Sequence, residues 1–477
     1  MVKRKVILFL ISTVFFLCGA TQAAGQETAD PSLRLKLGDP RFKDKVLDVA
    51  CDELVSMETG KAVPFAKLVQ EMRGIPLVYI GETHNSLPVH DFQLKIIQAL
   101  YEQERNMAIG LEMFPVTSQD VLNKWSLGIL SQDEFLREGL WYIHWNFNFG
   151  FYEKIFAFAK AKTIPIYGLN APREIITKIR MSGWDALSDE EKAIVPKPDL
   201  THPEHRQLIR TIFESAEIPH QMKGAGLDMM FEGLYRSQTA WDFVMGYHAL
   251  EGLKKEQKKM IVLAGSGHLI YHLGINLRAY EKSRLAGKTV IPVFVPKGQK
   301  NVRVSRSLGD YIWGIPEEAR PAFPSVGLSF KKFKGLENVV IDGKPMDGVA
   351  KGADFEKGDI VLAVEGKPAA EINELRIYLA KFKWEDEVKF RILRNAQEKD
   401  VVLKFKEAGG PGGAQESALI RGHLFFFSDI EIDHLDQAQP APAGRRWAFL
   451  DAKLFLDLIE GLAFLDQRLD LLLFILD

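Results

Sequence analysis

Five short apolar runs constrain this chain more than any other feature, because four of them end in residues that can do chemistry. Leu77-Val-Tyr-Ile80 stops at Gly81 and is followed by Glu82, Thr83 and His84. Met107-Ala-Ile-Gly-Leu111 ends in Glu112, and Ile164-Pro-Ile-Tyr-Gly-Leu169 ends in Asn170-Ala-Pro-Arg173. Met260-Ile-Val-Leu-Ala264 ends in Gly265-Ser-Gly-His268, and Val290-Ile-Pro-Val-Phe-Val295 is the fifth. Runs this short and continuous read as strands buried on both faces. The intervals between them carry helical spacing, as in Val89, Phe92, Ile96, Ile97 and Leu100. Strand–helix alternation predicts an α/β fold: a mostly parallel sheet with helices on both faces. Right-handed crossovers put the carboxyl ends of such strands along one edge, where ligands bind in open sheets. The strand order that would bring Glu82, His84, Glu112 and His268 together is not written in the sequence.

Gly81-Glu82-x-His84 and Gly265-x-x-His268 are both glycine-led histidine turns. Two imidazoles with Glu82 and Glu112 suit a catalytic acid–base centre, and His84, Glu112 and His268 suit a divalent metal. His90 and Gln93 share a helical face and would either stand behind that centre or meet an anion. Trp141-Tyr-Ile-His144-Trp145-Asn-Phe-Asn-Phe149-Gly-Phe151-Tyr152 is dense in aromatics. Core packing accounts for such a run, and so would a flat apolar ligand such as haem. Tyr271 and His272, just beyond His268, are then candidate iron ligands. Set against that are an ordinary core position for Tyr271 and solvent exposure for His272.

The chain is long enough, at 477 residues, for two or three domains. With 61 Lys+Arg against 63 Asp+Glu, it has no field suited to nucleic acid. A basic head at Lys3-Arg4-Lys5 and an apolar body to Leu17 make residues 1–25 a secretory signal. Thr21-Gln-Ala23 offers ordinary cleavage, and Cys18-Gly19 offers lipidation as a lipoprotein, the sole membrane attachment expected. The expected location is the periplasm or the outer-membrane side of the cell envelope. Cys51 is then the remaining cysteine and is expected to be a small buried apolar residue. Residues 26–310 are expected to form the α/β domain. From 320 to 407 the style changes to short strands with tight turns, interrupted by one helix near 371–382. Gly409-Gly-Pro-Gly-Gly413 reads as a hinge, and the tail to 477 as an amphipathic or poorly ordered extension.

Several of these motifs, in order, resemble one family. Gly81-Glu-Thr-His84, His90-x-x-Gln93, Gly110-Leu-Glu112-Met-Phe114 and Trp141-x-x-x-Trp145 fit it. Leu169-Asn-Ala-Pro-Arg173, Gln238-x-x-Trp241-Asp242-x-x-Met245 and Gly265-x-Gly-His268 continue the match. They are similar to the ChaN family of bacterial envelope proteins, within the haem-uptake and Tiki superfamily. The resemblance implies haem binding linked to iron acquisition, with His90, Gln93, Asn170, Arg173 and Tyr271 as cofactor contacts. It also leaves hydrolysis open. Tiki-type metalloproteases and erythromycin-esterase-like enzymes belong to the wider superfamily, and in them the positions of Glu82, His84, Glu112 and His268 form the active centre. The region after 320 resembles a PDZ domain through Val326-Gly-Leu328 and Gly352 to Gly366. That implies capture of a protein C-terminal peptide by strand addition beside Leu328. The departure at Asp347-Gly-Val-Ala-Lys-Gly352 bears on peptide binding more than on fold.

Overall fold

The computed structural model describes residues 30–215, 225–256, 259–345 and 348–406. The expected signal segment, Cys18 and the tail lie outside them. In chain order the first domain has β1 (Val46–Ala50), β2 (Leu54–Ser56), β3 (Lys61–Ala62), β4 (Leu77–Glu82) and β5 (Ala108–Pro115). They are followed by β6 (Ile166–Asn170), β7 (Met260–Gly265), β8 (Gly287–Val295), β9 (Asn301–Ser305) and β10 (Tyr311–Pro316). Eight of these form one sheet in the order β3-β2-β10-β8-β4-β7-β5-β6, while β1 and β9 pair as a separate antiparallel ribbon. From β10 to β6 every pairing is parallel, and β2 and β3 add an antiparallel edge.

The central strands are apolar throughout because both of their faces are covered. Side chains alternate across a strand, so Leu77, Tyr79, Met260 and Val262 enter one core while Val78, Ile80, Ile261 and Leu263 enter the other. Helices Arg173–Ser182 and Ala225–Glu256 cover the first face, with Ile175, Ile179, Val244 and Met245 in its core. Helices Leu87–Gln103 and Glu153–Ala161 cover the second with Ile96, Ile97, Ile155 and Phe156. The aromatic run joins this second core, where Trp141, Phe149 and Tyr152 are buried.

Two expectations are corrected here. The sheet runs on through β10 to Pro316, past the expected domain edge at 310, because Tyr311–Pro316 pairs in parallel with Val290–Val295. Cys51 is exposed, in the turn after β1, and contributes nothing to the core.

The second domain is a small sheet of β11 (Phe330–Lys331), β12 (Val340–Ile341), β13 (Ile360–Val364), β14 (Lys367–Pro368), β15 (Glu387–Arg394) and β16 (Gln397–Lys404). Its order is β11-β12-β13-β15-β16, with β14 folded back on β13. One helix, Ile372–Leu379, closes it, and Leu375 and Leu379 join Phe330, Ile341, Phe390 and Leu403 in a core of its own.

Candidate functional site

In the sheet β4, β7 and β5 lie side by side, so Glu82, the Gly265–His268 turn and Glu112 arrive at one place. Two acid–imidazole pairs meet there. In the first, His84 Nδ1 is 2.8 Å from Glu82 Oε1. The Tyr152 hydroxyl donates to that same oxygen at 2.7 Å and accepts from Trp145 Nε1 at 3.1 Å. Gln93 Nε2 donates to the other oxygen of Glu82 at 3.2 Å. His90 stands behind, with Nδ1 2.9 Å from Gln93 Oε1 and Nε2 3.2 Å from the carbonyl of His84. His90 and Gln93 therefore fix the first pair from the helix that follows it.

In the second pair, Glu112 accepts the Gly265 amide at 2.6 Å and lies 3.3 Å from His268 Nε2. Asp242 Oδ1 is 2.6 Å from His268 Nδ1, and its other oxygen is 3.0 Å from His205 Nε2. The result is a line of alternating acids and imidazoles, Glu112–His268–Asp242–His205. Gly265 lets the two pairs approach. A Cβ there would stand 3.0 Å from His84 Cε1 and 3.5 Å from Glu112 Oε2.

All four residues are almost wholly out of solvent, at 2–4% exposure. Burial by itself disfavours charge on each. For His268 the neighbouring Glu112 and Asp242 outweigh it and hold the imidazole up at about 10. For Glu112 burial is outweighed by His268, helped by His84 and the Gly265 amide, and the carboxyl falls to about 2. Asp242, fully buried, is also lowered, by His268 and His205 against the cost of burial. Over His84 lie two rings, Trp145 at 4.6 Å and Phe147 at 4.9 Å between centroids. The aromatic run is thus both core and cover.

Residues 68–278 match the family described as "Haem-binding uptake, Tiki superfamily, ChaN", and residues 324–405 match the PDZ domain. The chain carries a ChaN-family domain followed by a PDZ domain. Among solved structures it is similar to ChaN of Campylobacter jejuni with cofacially bound haem, at 20% identity over 56% of this chain and 96% of that one (TM-score 0.44). It is also similar to an erythromycin esterase in its open conformation, at 12% identity over 53% and 83% of the two chains (TM-score 0.32). A third likeness is to the HtrA-type protease AlgW with a decapeptide, at 20% identity over 17% and 28% (TM-score 0.16). Among curated proteins nothing matches.

Other candidate residues of the ChaN-family domain lie elsewhere or act differently. Asn170 ties two strand ends together, donating to the Glu112 carbonyl at 3.1 Å while its Oδ1 accepts from Ala171. Arg173 is exposed at the start of the helix Arg173–Ser182. Tyr271 corrects the expectation most clearly. Its ring is buried, and its hydroxyl accepts from the Leu35 amide at 2.8 Å and donates to the Ser32 carbonyl at 2.6 Å. It pins the amino-terminal segment to the domain. We expect Tyr271→Phe to lower stability by about 1–2 kcal/mol, as loss of a buried hydrogen-bonding hydroxyl does, and to leave ligand binding intact. Urea melts alongside haemin titration check this. His272 is partly exposed beside Asp310, with 3.7 Å between them.

The expected metal set of His84, Glu112 and His268 lies within these two acid–imidazole pairs. Among the described residues no group of three or more His, Cys, Asp or Glu side chains is arranged to hold a metal ion. Both ring nitrogens of His268 are turned to carboxylates, and Nδ1 of His84 to a third. Sequence reasoning gave no role to Asp242, Gln238 or His205. Gln238 and Asp242 sit four apart on the helix Ala225–Glu256, and both reach His268. That spacing on one helical face was the available signal.

Proposed function

We propose that the ChaN-family domain binds haem in iron acquisition at the cell envelope, and that the PDZ domain captures a protein C-terminal peptide. One observation carries the haem reading: a single imidazole, His84, oriented by a carboxylate and walled by two aromatic rings. A histidine that meets a metal commonly gives its other ring N–H to a carboxylate, which fixes the ring and raises its basicity. Glu82 takes Nδ1, so Nε2 is the nitrogen that can meet an iron. Haem would supply that iron and a flat apolar ring, which Trp145 and Phe147 suit. Arg173, at a helix start, suits a propionate. The test is haemin titration of the mature protein. A Soret band shifted from that of free haemin, saturating at a fixed stoichiometry, is expected. Absence of a shift at micromolar haemin would end the haem reading.

The Glu112–His268–Asp242 line favours a second reading, hydrolysis by acid–base chemistry. There Glu82 would act on water through His84, and His268, held protonated, would meet developing negative charge. Ester and peptide hydrolysis assays on the wild type and Glu112→Gln separate this reading from the first. Secretion rests on residues 1–25 alone, and mass analysis of the mature amino terminus tests it and the Cys18 anchor together.

A further inference from the structure

The cover over His84 is held at both ends by the PDZ domain. Its helix Ile372–Leu379 has two working faces. Leu375 and Leu379 serve the PDZ core, while Ile377 is buried in the core of the ChaN-family domain. From this second face Arg376 Nη1 donates to the Tyr142 carbonyl at 2.6 Å, and Asn373 Nδ2 donates to the Leu136 carbonyl at 3.2 Å. On the far side of the cover, Asn148 Nδ2 donates to the Ala380 carbonyl at 2.9 Å. Trp145 and Phe147 lie between these two grips. The same helix also reaches toward β11. The Arg376 guanidinium lies 6.0 Å from the centre of the Phe330 ring, on the strand opposite.

We propose that the PDZ domain clamps the aromatic cover shut, and that a peptide carboxylate captured in the PDZ groove releases it. The inference rests on the groove reading of the PDZ domain given above. A peptide entering by strand addition must lie between β11 and the helix. It would take the place now spanned by Arg376 over Phe330, so the guanidinium has to swing away. The bond to the Tyr142 carbonyl goes with it. The helix Trp141–His144 is only one turn long and starts at Leu140, which is left-handed with φ 49°. Trp141 anchors it in the second core, and its single turn adds little backbone hold beyond that. Once let go at Tyr142, it can carry Trp145 and Phe147 off His84 and open the way to the Glu82–His84 pair. The peptide thus acts at a distance by favouring one of two packings.

The experiment is hydrogen exchange, read by mass spectrometry over residues 141–152 of the full chain. The probes are five ten-residue peptides with free carboxylates ending in Ala, Val, Leu, Ile or Phe, and their binding is followed separately by fluorescence anisotropy. At saturation with a bound peptide, exchange over 141–152 should rise by about ten-fold, the worth of one charge-assisted hydrogen bond. Arg376→Ala should raise it by a similar factor without peptide and abolish the further response. Asn148→Ala, a gentler change on the opposite side, should raise it as well, with the melting temperature showing that the fold is kept. A peptide that binds while exchange stays flat overturns the coupling and leaves the groove reading intact. Failure of all five peptides to bind overturns the proposal through the groove reading. Unchanged exchange in both variants overturns the clamp, whatever the peptides do.

Discussion

Replacing Asp242 with asparagine should lower the stability of the ChaN-family domain by about 3 kcal/mol, the low end of the cost of breaking a buried ion pair from one side. The carboxylate sits between two imidazoles, 2.6 Å from His268 and 3.0 Å from His205, with no access to water. The amide keeps the shape and loses the charge, so His268 is left to Glu112 alone. For a domain of this size the melting temperature should fall by about 6–12 °C. The pH dependence gives a sharper signature. His268 is held up at about 10 from an ordinary 6.5, so the stability it brings is complete below 6.5 and is lost as pH rises through 10. Glu112 is lowered to about 2 from an ordinary 4.5, so its contribution is complete above 4.5 and fades as pH falls toward 2. Wild-type stability should therefore peak between about pH 4.5 and 6.5 and decline on both sides. In Asp242→Asn the alkaline slope should flatten, since His268 then has less reason to stay charged. Urea midpoints at pH 6 and pH 9 for both proteins measure this. Equal slopes would mean that Asp242 does not hold the proton on His268.

The parallel strands were legible because strands covered on both faces cannot afford polar residues, and their ends show where cover stops. Glu82 and Asn170 are the last residues of β4 and β6, and Glu112 departs further. It was expected beyond the end of its strand, yet β5 runs on to Pro115, and the carboxylate belongs to the strand itself. Convergence at one edge was not legible. It depends on β7 entering between β4 and β5, although β7 lies far along the chain from both. Asp242 was hidden for a different reason. The helix Ala225–Glu256 is long, and the i, i+4 spacing of Gln238 and Asp242 puts them on one face without saying that this face meets the sheet edge. Tyr271 misled because nearness in sequence to His268 suggested nearness in function. Left-handed backbone at Tyr271 and His272, φ 59° and 57°, turns the chain between them. The partners of Tyr271, Ser32 and Leu35, come from the other end of the domain. The docking of the PDZ helix on the aromatic cover had no sequence signal, since Asn373, Arg376 and Ile377 would pass as an ordinary mixed face.

His84→Ala should weaken haemin binding by a hundred-fold or more and remove the Soret shift at micromolar concentration, while the fold is kept. The expectation follows from the division of labour around the ring. Glu82 holds Nδ1, Tyr152 and Gln93 hold Glu82, and the Trp145 and Phe147 rings flank the imidazole. On the haem reading, taking away the imidazole removes the proposed iron donor but leaves the aromatic walls, so weak, unligated association should persist with an unshifted spectrum. Glu82→Gln should fall between the two, because an outer partner of a metal-bound histidine is worth about 10- to 100-fold in affinity. The graded order, wild type tighter than Glu82→Gln and both tighter than His84→Ala, is what distinguishes a ligand held by its neighbour from a ring that merely packs. If His84→Ala bound haemin with an unaltered spectrum, the iron donor would have to be another side chain. The carboxylate behind His84 would then be serving acid–base chemistry and not haem.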